Sequence, residues 1–255
     1  MLTLDDNLVQ RALEAGRTVD LQGCVYGPAH WQGEPVSTST AAYYGLLAGL
    51  VRASAAKTVV ELGTHYGGAT LAMARGFADP GSSLLVTLDV TAIENSALAE
   101  QPMVRRIHGD GFAPQTVSML LRALDGRPVD LLFVDIVHGY HQTLRALGLY
   151  ANRLQPALVA LDDIHLNGGM RLLWRELAER HRTLDVSGRV DREAAGFGLL
   201  QPERPMRLPE GEAWRAALWS LRRTVAARTP YPLKRGVVAL LDALPAGLRK
   251  RLDPS

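Results

Sequence analysis

Residues Thr58–Gly68, TVVELGTHYGG, decide the fold of this chain. The segment opens with β-branched, mostly apolar residues, which are typical of a strand covered on both faces. Glu61 stands at the strand's carboxyl end, where open parallel sheets place their ligands. Gly63, Gly67 and Gly68 then allow a sharp turn and a close approach of the backbone to a ligand. The spacing is neither GxGxxG nor GxxxxGK[ST], which disfavours pyrophosphate and triphosphate loops.

Four further segments predict buried strands that carry a carboxylate at or just after their carboxyl ends. They are Ser82–Asp89 (SSLLVTLD), Val104–Gly111 (VRRIHGDG), Val129–Asp135 (VDLLFVD) and Ala157–Asp163 (ALVALDD). Helical patterns alternate with these strands, as in Tyr140–Leu154, where leucines recur at helical spacing. This alternation predicts an α/β fold with a doubly wound, parallel sheet whose strand ends open onto one crevice.

Asp135, Asp162 and Asp163 are expected to converge in that crevice. Three carboxylates repel each other unless a cation neutralises them, and carboxylate oxygens suit Mg²⁺, Mn²⁺ or Ca²⁺ better than zinc. Two structural alternatives stay open, because Asp163 could cap the next helix and Asp135 could be a turn acid.

The turn from Glu61 to Gly67, acid-x-Gly-x-x-x-Gly, resembles the first motif of class I S-adenosylmethionine-dependent methyltransferases. The segments Asp135-Ile-Val-His138-Gly-Tyr140 and Leu161-Asp162-Asp163-Ile-His165 are similar to a metal-dependent branch of that class. This branch contains O-methyltransferases of sugars and natural products, including macrolide-sugar enzymes and relatives of the cephalosporin-biosynthesis methyltransferases. It is more distantly related to catechol O-methyltransferases. The resemblance covers residues 56–201. It implies a Rossmann-like, mostly parallel seven-stranded sheet with helices on both faces, completed by antiparallel strands at Leu184–Val186 and Gly196–Leu200.

The resemblance also implies a set of residues that bind S-adenosylmethionine: Glu61, Gly63, Thr64, Tyr66, Gly67, Gly68, Asp89, Asp110 and Asp135. Asp89 would accept hydrogen bonds from the ribose hydroxyls. Asp110 belongs to the region that flanks the adenine, although it fits equally well as a turn residue before Gly111.

By the same resemblance, Asp135, Asp162 and Asp163 would hold Mg²⁺ or another hard divalent cation. Methyl transfer to a hydroxyl needs a base, and an imidazole with a near-neutral pKa suits that task. His165, two residues after the double Asp, is the preferred base. His138 is the alternative base. As a structural residue, it would instead donate a hydrogen bond to a neighbouring group.

The expected function is metal-dependent O-methylation of a hydroxylated small molecule, with a sugar moiety of a natural product or glycolipid as the acceptor. Three local departures from the relatives, at Ile136, Ala146 and Pro156-Ala157-Leu158, leave the acceptor open. Three alternatives remain. One is a metal-independent O- or N-methyltransferase, and another is a non-catalytic S-adenosylmethionine-binding module in a biosynthetic complex. The third, a dehydrogenase, is disfavoured by the absent dinucleotide fingerprint.

Three segments are expected: N-terminal helices and a lid over residues 1–55, a catalytic domain over 56–201, and a basic helical extension over 202–255. The N-terminal helices are predicted at Leu4–Ala15 and Ser39–Arg52. The lid is placed at Tyr26–Val36, where Trp31 would cover the site or be buried in a connector. The segment Glu203–Ser255 holds 11 basic and 5 acidic residues. Contact with a membrane surface through these helices is a minor expectation, and nucleic-acid binding is not expected because no recognition motif accompanies the charge.

The single cysteine, Cys24, excludes an internal disulfide. The acidic amino terminus lacks a secretory pattern, so a cytoplasmic location is expected. A homodimer is expected from the terminal helices.

Overall fold

The computed structural model describes residues 2–27, 30–31, 34–35, 40–92, 95–190 and 195–206. The strands are β1 His30–Trp31, β2 Glu34–Pro35, β3 Thr58–Leu62, β4 Leu84–Asp89, β5 Val104–His108, β6 Leu131–Val134, β7 Leu158–Asp162, β8 Arg182–Asp185 and β9 Phe197–Gln201. The helices are α1 Asp6–Gly16, α2 Tyr44–Ala53, α3 Gly68–Gly76, α4 Ser96–Ala99, α5 Pro114–Leu124, α6 Tyr140–Ala146, α7 Asn152–Leu154 and α8 Gly168–Ala178.

Seven strands form one sheet in the order β5-β4-β3-β6-β7-β9-β8, while β1 and β2 pair separately. The five strands from β5 to β7 run parallel. Strand β9 runs antiparallel to both of its neighbours, so β8 points the same way as β7. The predicted mostly parallel, seven-stranded sheet is confirmed, with one correction: only β9 of the last two strands opposes the others.

The alternation of side chains along each strand explains why helices cover both faces. Val59 and Val60 are both fully buried, yet they belong to different hydrophobic clusters. The first cluster contains side chains of α1, α2 and α3, and the second contains side chains of α5, α6 and α8. Because successive side chains of a strand point to opposite faces, a strand packed on both sides must be apolar throughout. This is the physical basis of the uninterrupted TVV and LLFV runs.

The N-terminal helices share a core with the sheet. Helices α1 and α2 touch so closely that a Cβ added at Gly49 would lie 1.8 Å from the Ala12 carbonyl oxygen. Leu8 of α1 and Leu47 of α2 are fully buried in the same cluster as Val59 of β3. A domain boundary at residue 55 stays a prediction.

Two helices differ from the sequence expectation. The helix expected over Ser39–Arg52 begins at Tyr44, and Tyr43 precedes it without a capping side-chain hydrogen bond. The predicted helix Tyr140–Leu154 is α6 followed by a wider π-helical turn, Leu147–Ala151, and then α7. Ser39, most of the expected lid with the Trp31 side chain, and residues 207–255 of the basic extension lie outside the described residues. Among the described helices, none combines the length and apolar character needed to cross a membrane.

Candidate active site

A cavity of about 250 Å³ opens at the carboxyl ends of β3, β4 and β6. The strand ends meet here because the sheet is parallel, and the order of strands diverges on either side of β3. Six residues expected from the sequence line this cavity: Gly63, Thr64, Gly67, Asp89, Asp135 and His138.

The glycine loop is shaped by contacts that a side chain would prevent. Gly63 has φ +98°, and a Cβ there would lie 1.7 Å from the Asp135 carbonyl oxygen. Gly67 has φ +88°, and a Cβ there would lie 2.2 Å from a Leu98 methyl carbon. Glycine is therefore required at both positions for the ends of β3 and β6 to approach each other and for α3 to start.

Asp89 ends β4, and its carboxylate is held in place by backbone amides. Oδ2 accepts a hydrogen bond from the His65 N–H at 2.8 Å, and Oδ1 accepts one from the Thr91 N–H at 2.7 Å. His65 itself has φ +46°, in the left-handed region. The result is an oriented carboxylate on the cavity wall, which suits recognition of vicinal hydroxyls.

The far end of the cavity is formed by Gly111, Phe112 and Tyr150. The Tyr150 hydroxyl donates to the Gly111 carbonyl at 2.5 Å. The Arg145 guanidinium lies 4.4 Å from the centre of the Phe112 ring, a cation–π contact. Asp110 is not on the wall, and its Oδ1 accepts a hydrogen bond from the Phe112 N–H at 2.9 Å. The observed contact of Asp110 is thus that of a turn residue, one of the two roles expected for it.

Three other residues expected at the cofactor, Glu61, Tyr66 and Gly68, are not among those that line the cavity. Glu61 is fully buried, and its Oε2 accepts a hydrogen bond from the Thr70 hydroxyl. Burial raises the pKa of Glu61 to about 8. The Tyr66 carbonyl accepts a hydrogen bond from the Asn95 amide, and a Cβ at Gly68 would strike the Val25 carbonyl oxygen. These residues shape the loop and its packing, and in the structure they do not face the cavity.

The acids of β6 and β7 surround one histidine. Ligand atoms of Asp135, His138 and Asp162 all lie within 4.8 Å of one another, and these three residues are called the acid cluster below. His138 Nε2 is 3.4 Å from Asp135 Oδ1 and 3.1 Å from Asp163 Oδ2. Burial lowers the pKa of His138 to about 4 and raises the pKa of Asp163 to about 6.

This donor set fits a hard divalent ion. Mg²⁺ is commonly held by one or two carboxylates and several waters, and Asp135 and Asp162 supply two carboxylates at short range. Asp163 is placed differently from the sequence expectation, because its φ of +60° turns the chain and its carboxylate pairs with His138. Asp163 therefore lies beside the acid cluster of Asp135, His138 and Asp162, whose ligand atoms are close enough to share an ion.

His165, the preferred base, is turned away from this cluster. Its Nε2 lies 2.7 Å from Asp185 Oδ2, at the end of β8. Its ring packs on Gly196, where an added Cβ would lie 2.5 Å from a ring carbon. Of these two histidines, the structure therefore places His138, and not His165, beside the acids and on the cavity wall.

Three tyrosines complete the site: Tyr26 begins the expected lid, whereas Tyr43 and Tyr44 were not expected there from the sequence. Tyr26 and Tyr44 line the cavity. The Tyr43 hydroxyl lies 3.3 Å from Asp135 Oδ2. Tyr43 and Tyr44 are adjacent in Ala41-Ala-Tyr-Tyr-Gly45 and belong to no motif. Their position in a predicted helix does not indicate that they lie at the strand ends.

Comparisons with known proteins agree with this geometry. Residues 60–164 match the family model described as "Methyltransferase domain", a span that contains the glycine loop, Asp89 and the acid cluster. None of the curated proteins matches the chain. The solved O-methyltransferase from Bacillus cereus, in complex with S-adenosylhomocysteine, is 19% identical over 79% of this chain and 94% of its own, with a TM-score of 0.50. The O-methyltransferase TomG from Streptomyces achromogenes, involved in tomaymycin synthesis and solved with S-adenosylmethionine, is 22% identical over 79% of this chain and 92% of its own, with a TM-score of 0.48.

Residues 60–164 are thus similar to a methyltransferase domain, and the described chain has the fold of the Bacillus cereus enzyme. The methyltransferase resemblance inferred from the motifs is thereby confirmed for this part of the chain.

Proposed function

We propose that the chain is an O-methyltransferase that transfers the methyl group of S-adenosylmethionine to a hydroxyl of a small molecule, aided by a divalent metal ion. One observation carries the proposal. Asp135 and His138 both line the cofactor cavity and belong to the acid cluster, so the two sites share a wall.

The cofactor side of the proposal rests on the glycine loop and Asp89. Asp89 presents a fixed carboxylate to the ribose hydroxyls, and Phe112 and Tyr150 enclose the adenine end. Because methyl transfer is an in-line displacement, holding the donor and the acceptor in one orientation supplies much of the rate enhancement.

The acceptor side rests on the acids and His138. Asp135 and Asp162 would hold Mg²⁺ or Mn²⁺, which when bound lowers the pKa of an acceptor hydroxyl. His138 accepts the hydroxyl proton at its ring, and the Asp163 carboxylate, 3.1 Å away, stabilises the resulting positive charge. An oxygen acceptor is favoured because a hydroxyl needs this deprotonation, whereas a neutral amine does not.

A sugar hydroxyl on a natural product or glycolipid remains the proposed acceptor. The double Asp after β7 supports it only through the resemblance of the motif to the macrolide-sugar enzymes.

The test is transfer of labelled methyl from S-adenosylmethionine to a panel of hydroxylated compounds, with glycosylated and amine-bearing members. The proposal predicts labelled methyl ethers, loss of transfer with EDTA, and recovery with excess Mg²⁺. Methylated amines, or methyl ethers formed equally well in EDTA, would contradict it.

A further inference from the structure

Tyr43 reaches the acid cluster from outside the part of the chain that matches the methyltransferase family. It immediately precedes α2, and it lies 17 positions before residue 60, where the family match begins. Its hydroxyl donates to Asp135 Oδ2 at 3.3 Å and is also within hydrogen-bonding reach of Asp162. One phenol thus contacts both carboxylates that would hold the metal.

The Tyr43 ring is fixed on three sides. It stacks on Phe197 with ring centres 4.9 Å apart and an interplanar angle of 20°, and it meets Tyr44 edge to face at 5.2 Å. Phe133 of β6 lies 6.1 Å away. Since Phe197 is the register partner of Asp162 in the β7–β9 pair, the ring is anchored on the strand beside the carboxylate it approaches.

We propose that Tyr43 is a positioning residue that sets the carboxylates of Asp135 and Asp162 for metal binding, an inference that rests on the proposed function. A hydroxyl that donates to Asp135 and lies within reach of Asp162 restricts the rotation of the Asp135 carboxylate and offsets part of the repulsion between the two acids. Such hydrogen bonds to ligating carboxylates commonly account for a 10- to 100-fold effect on metal affinity. The N-terminal helices would therefore contribute directly to the metal site.

The variant Tyr43→Phe tests this role because it keeps the stacked ring and removes only the hydroxyl. Tyr140→Phe is the matched control, since the Tyr140 hydroxyl also donates to a carboxylate, Glu176 at 2.6 Å, between α6 and α8. Mn²⁺ affinity would be measured on the full chain by electron paramagnetic resonance of the free ion, and S-adenosylmethionine affinity by calorimetry.

Tyr43→Phe is expected to weaken Mn²⁺ binding by about 10- to 100-fold, with S-adenosylmethionine affinity unchanged and Tyr140→Phe like the wild type. A second variant, Phe197→Leu, keeps the hydroxyl but removes the stacked ring, and a smaller loss of Mn²⁺ affinity is expected.

Wild-type Mn²⁺ affinity in Tyr43→Phe would overturn the positioning role and leave the proposed metal site intact. Equal losses of Mn²⁺ and cofactor affinity would also overturn it, because they indicate a general packing defect. Failure of the wild-type chain to bind Mn²⁺ would refute the proposed metal site itself, and the role of Tyr43 with it.

Discussion

At the residue scale, hydrogen-bond partners separate two histidines that the sequence leaves as rivals. His138 Nε2 faces Asp135 and Asp163 at the cavity wall, whereas His165 Nε2 is occupied by Asp185. The difference depends on a local turn, because Asp163 takes φ +60° and the His165 N–H then bonds to the Ala195 carbonyl. Motif spacing carries no information about such a turn, so the sequence could not show that His138, and not His165, lies beside the acids.

His138→Asn should therefore lower kcat for methyl transfer by about 10²- to 10⁴-fold, the usual contribution of a general base. S-adenosylmethionine affinity should change little, because the expected ribose contact is made by Asp89. His165→Asn is the matched variant and should leave kcat close to the wild-type value. Single-turnover kinetics with labelled cofactor would measure both. A large loss of kcat in His165→Asn with a small loss in His138→Asn would instead indicate that His165 is the base.

Glu61 gives a prediction about pH and stability. Its pKa rises from 4.5 in the reference state to about 8 in the fold because it is fully buried. The folded chain therefore holds a proton that the unfolded chain releases, and stability falls as pH rises from about 4.5 to about 8.

The Glu61→Gln variant keeps a carbonyl that can accept the Thr70 hydrogen bond and removes the ionisation. Its free energy of unfolding, measured by urea titration at several pH values, should decline less with pH than that of the wild type. Glu100→Gln, which removes an exposed carboxylate, serves as the control. A parallel decline in Glu61→Gln and the wild type would contradict this explanation.

At the scale of elements, the glycine loop shows what sequence reasoning can and cannot reach. The predicted loop at Gly63 and Gly67 is observed, and both glycines have positive φ. The reason is partly long-range, since Gly63 lies against the Asp135 carbonyl at the end of another strand. Gly68 was assigned to the cofactor, yet its missing side chain makes room for Val25 and Tyr44. Contacts between segments so far apart in sequence leave no local pattern.

Gly63→Ala should destabilise the chain far more than Gly23→Ala. Both glycines have positive φ, and this backbone strain alone costs about 1–3 kcal/mol for alanine. Only Gly63 adds a clash, because nothing lies within 4 Å of a Cβ at Gly23. Urea unfolding of the two variants would measure the difference. Equal costs would show that the loop can move away from β6 without penalty.

At the scale of the whole molecule, the five parallel strands could be predicted from apolar runs and from carboxylates at their ends. Those features are local, which is why the sheet and the meeting of Asp135, Asp162 and Asp163 near one histidine could be expected. The direction of β8 could not, because it is set by pairing with β9.

The contact between Tyr43 and the acid cluster could not be predicted from the sequence either, because Tyr43 and Asp135 are 92 positions apart. The homodimer, the absence of nucleic-acid binding, the minor membrane contact and the cytoplasmic location stay predictions. So does the helical basic extension, whose residues from 207 onward lie outside the described part of the chain.

The most direct test of the central claim is calorimetric titration of the full chain with S-adenosylmethionine and, separately, with Mg²⁺, alongside Asp162→Asn. Because the proposed cofactor and metal sites are neighbouring but separate, the wild type should bind both ligands. Asp162→Asn should bind the cofactor with near-normal affinity but lose Mg²⁺ binding. Asp185→Asn, which alters the partner of His165 outside the cluster, should behave as the wild type. Cofactor binding without any Mg²⁺ binding by the wild type would contradict the metal-dependent account, and absence of cofactor binding would contradict the account altogether.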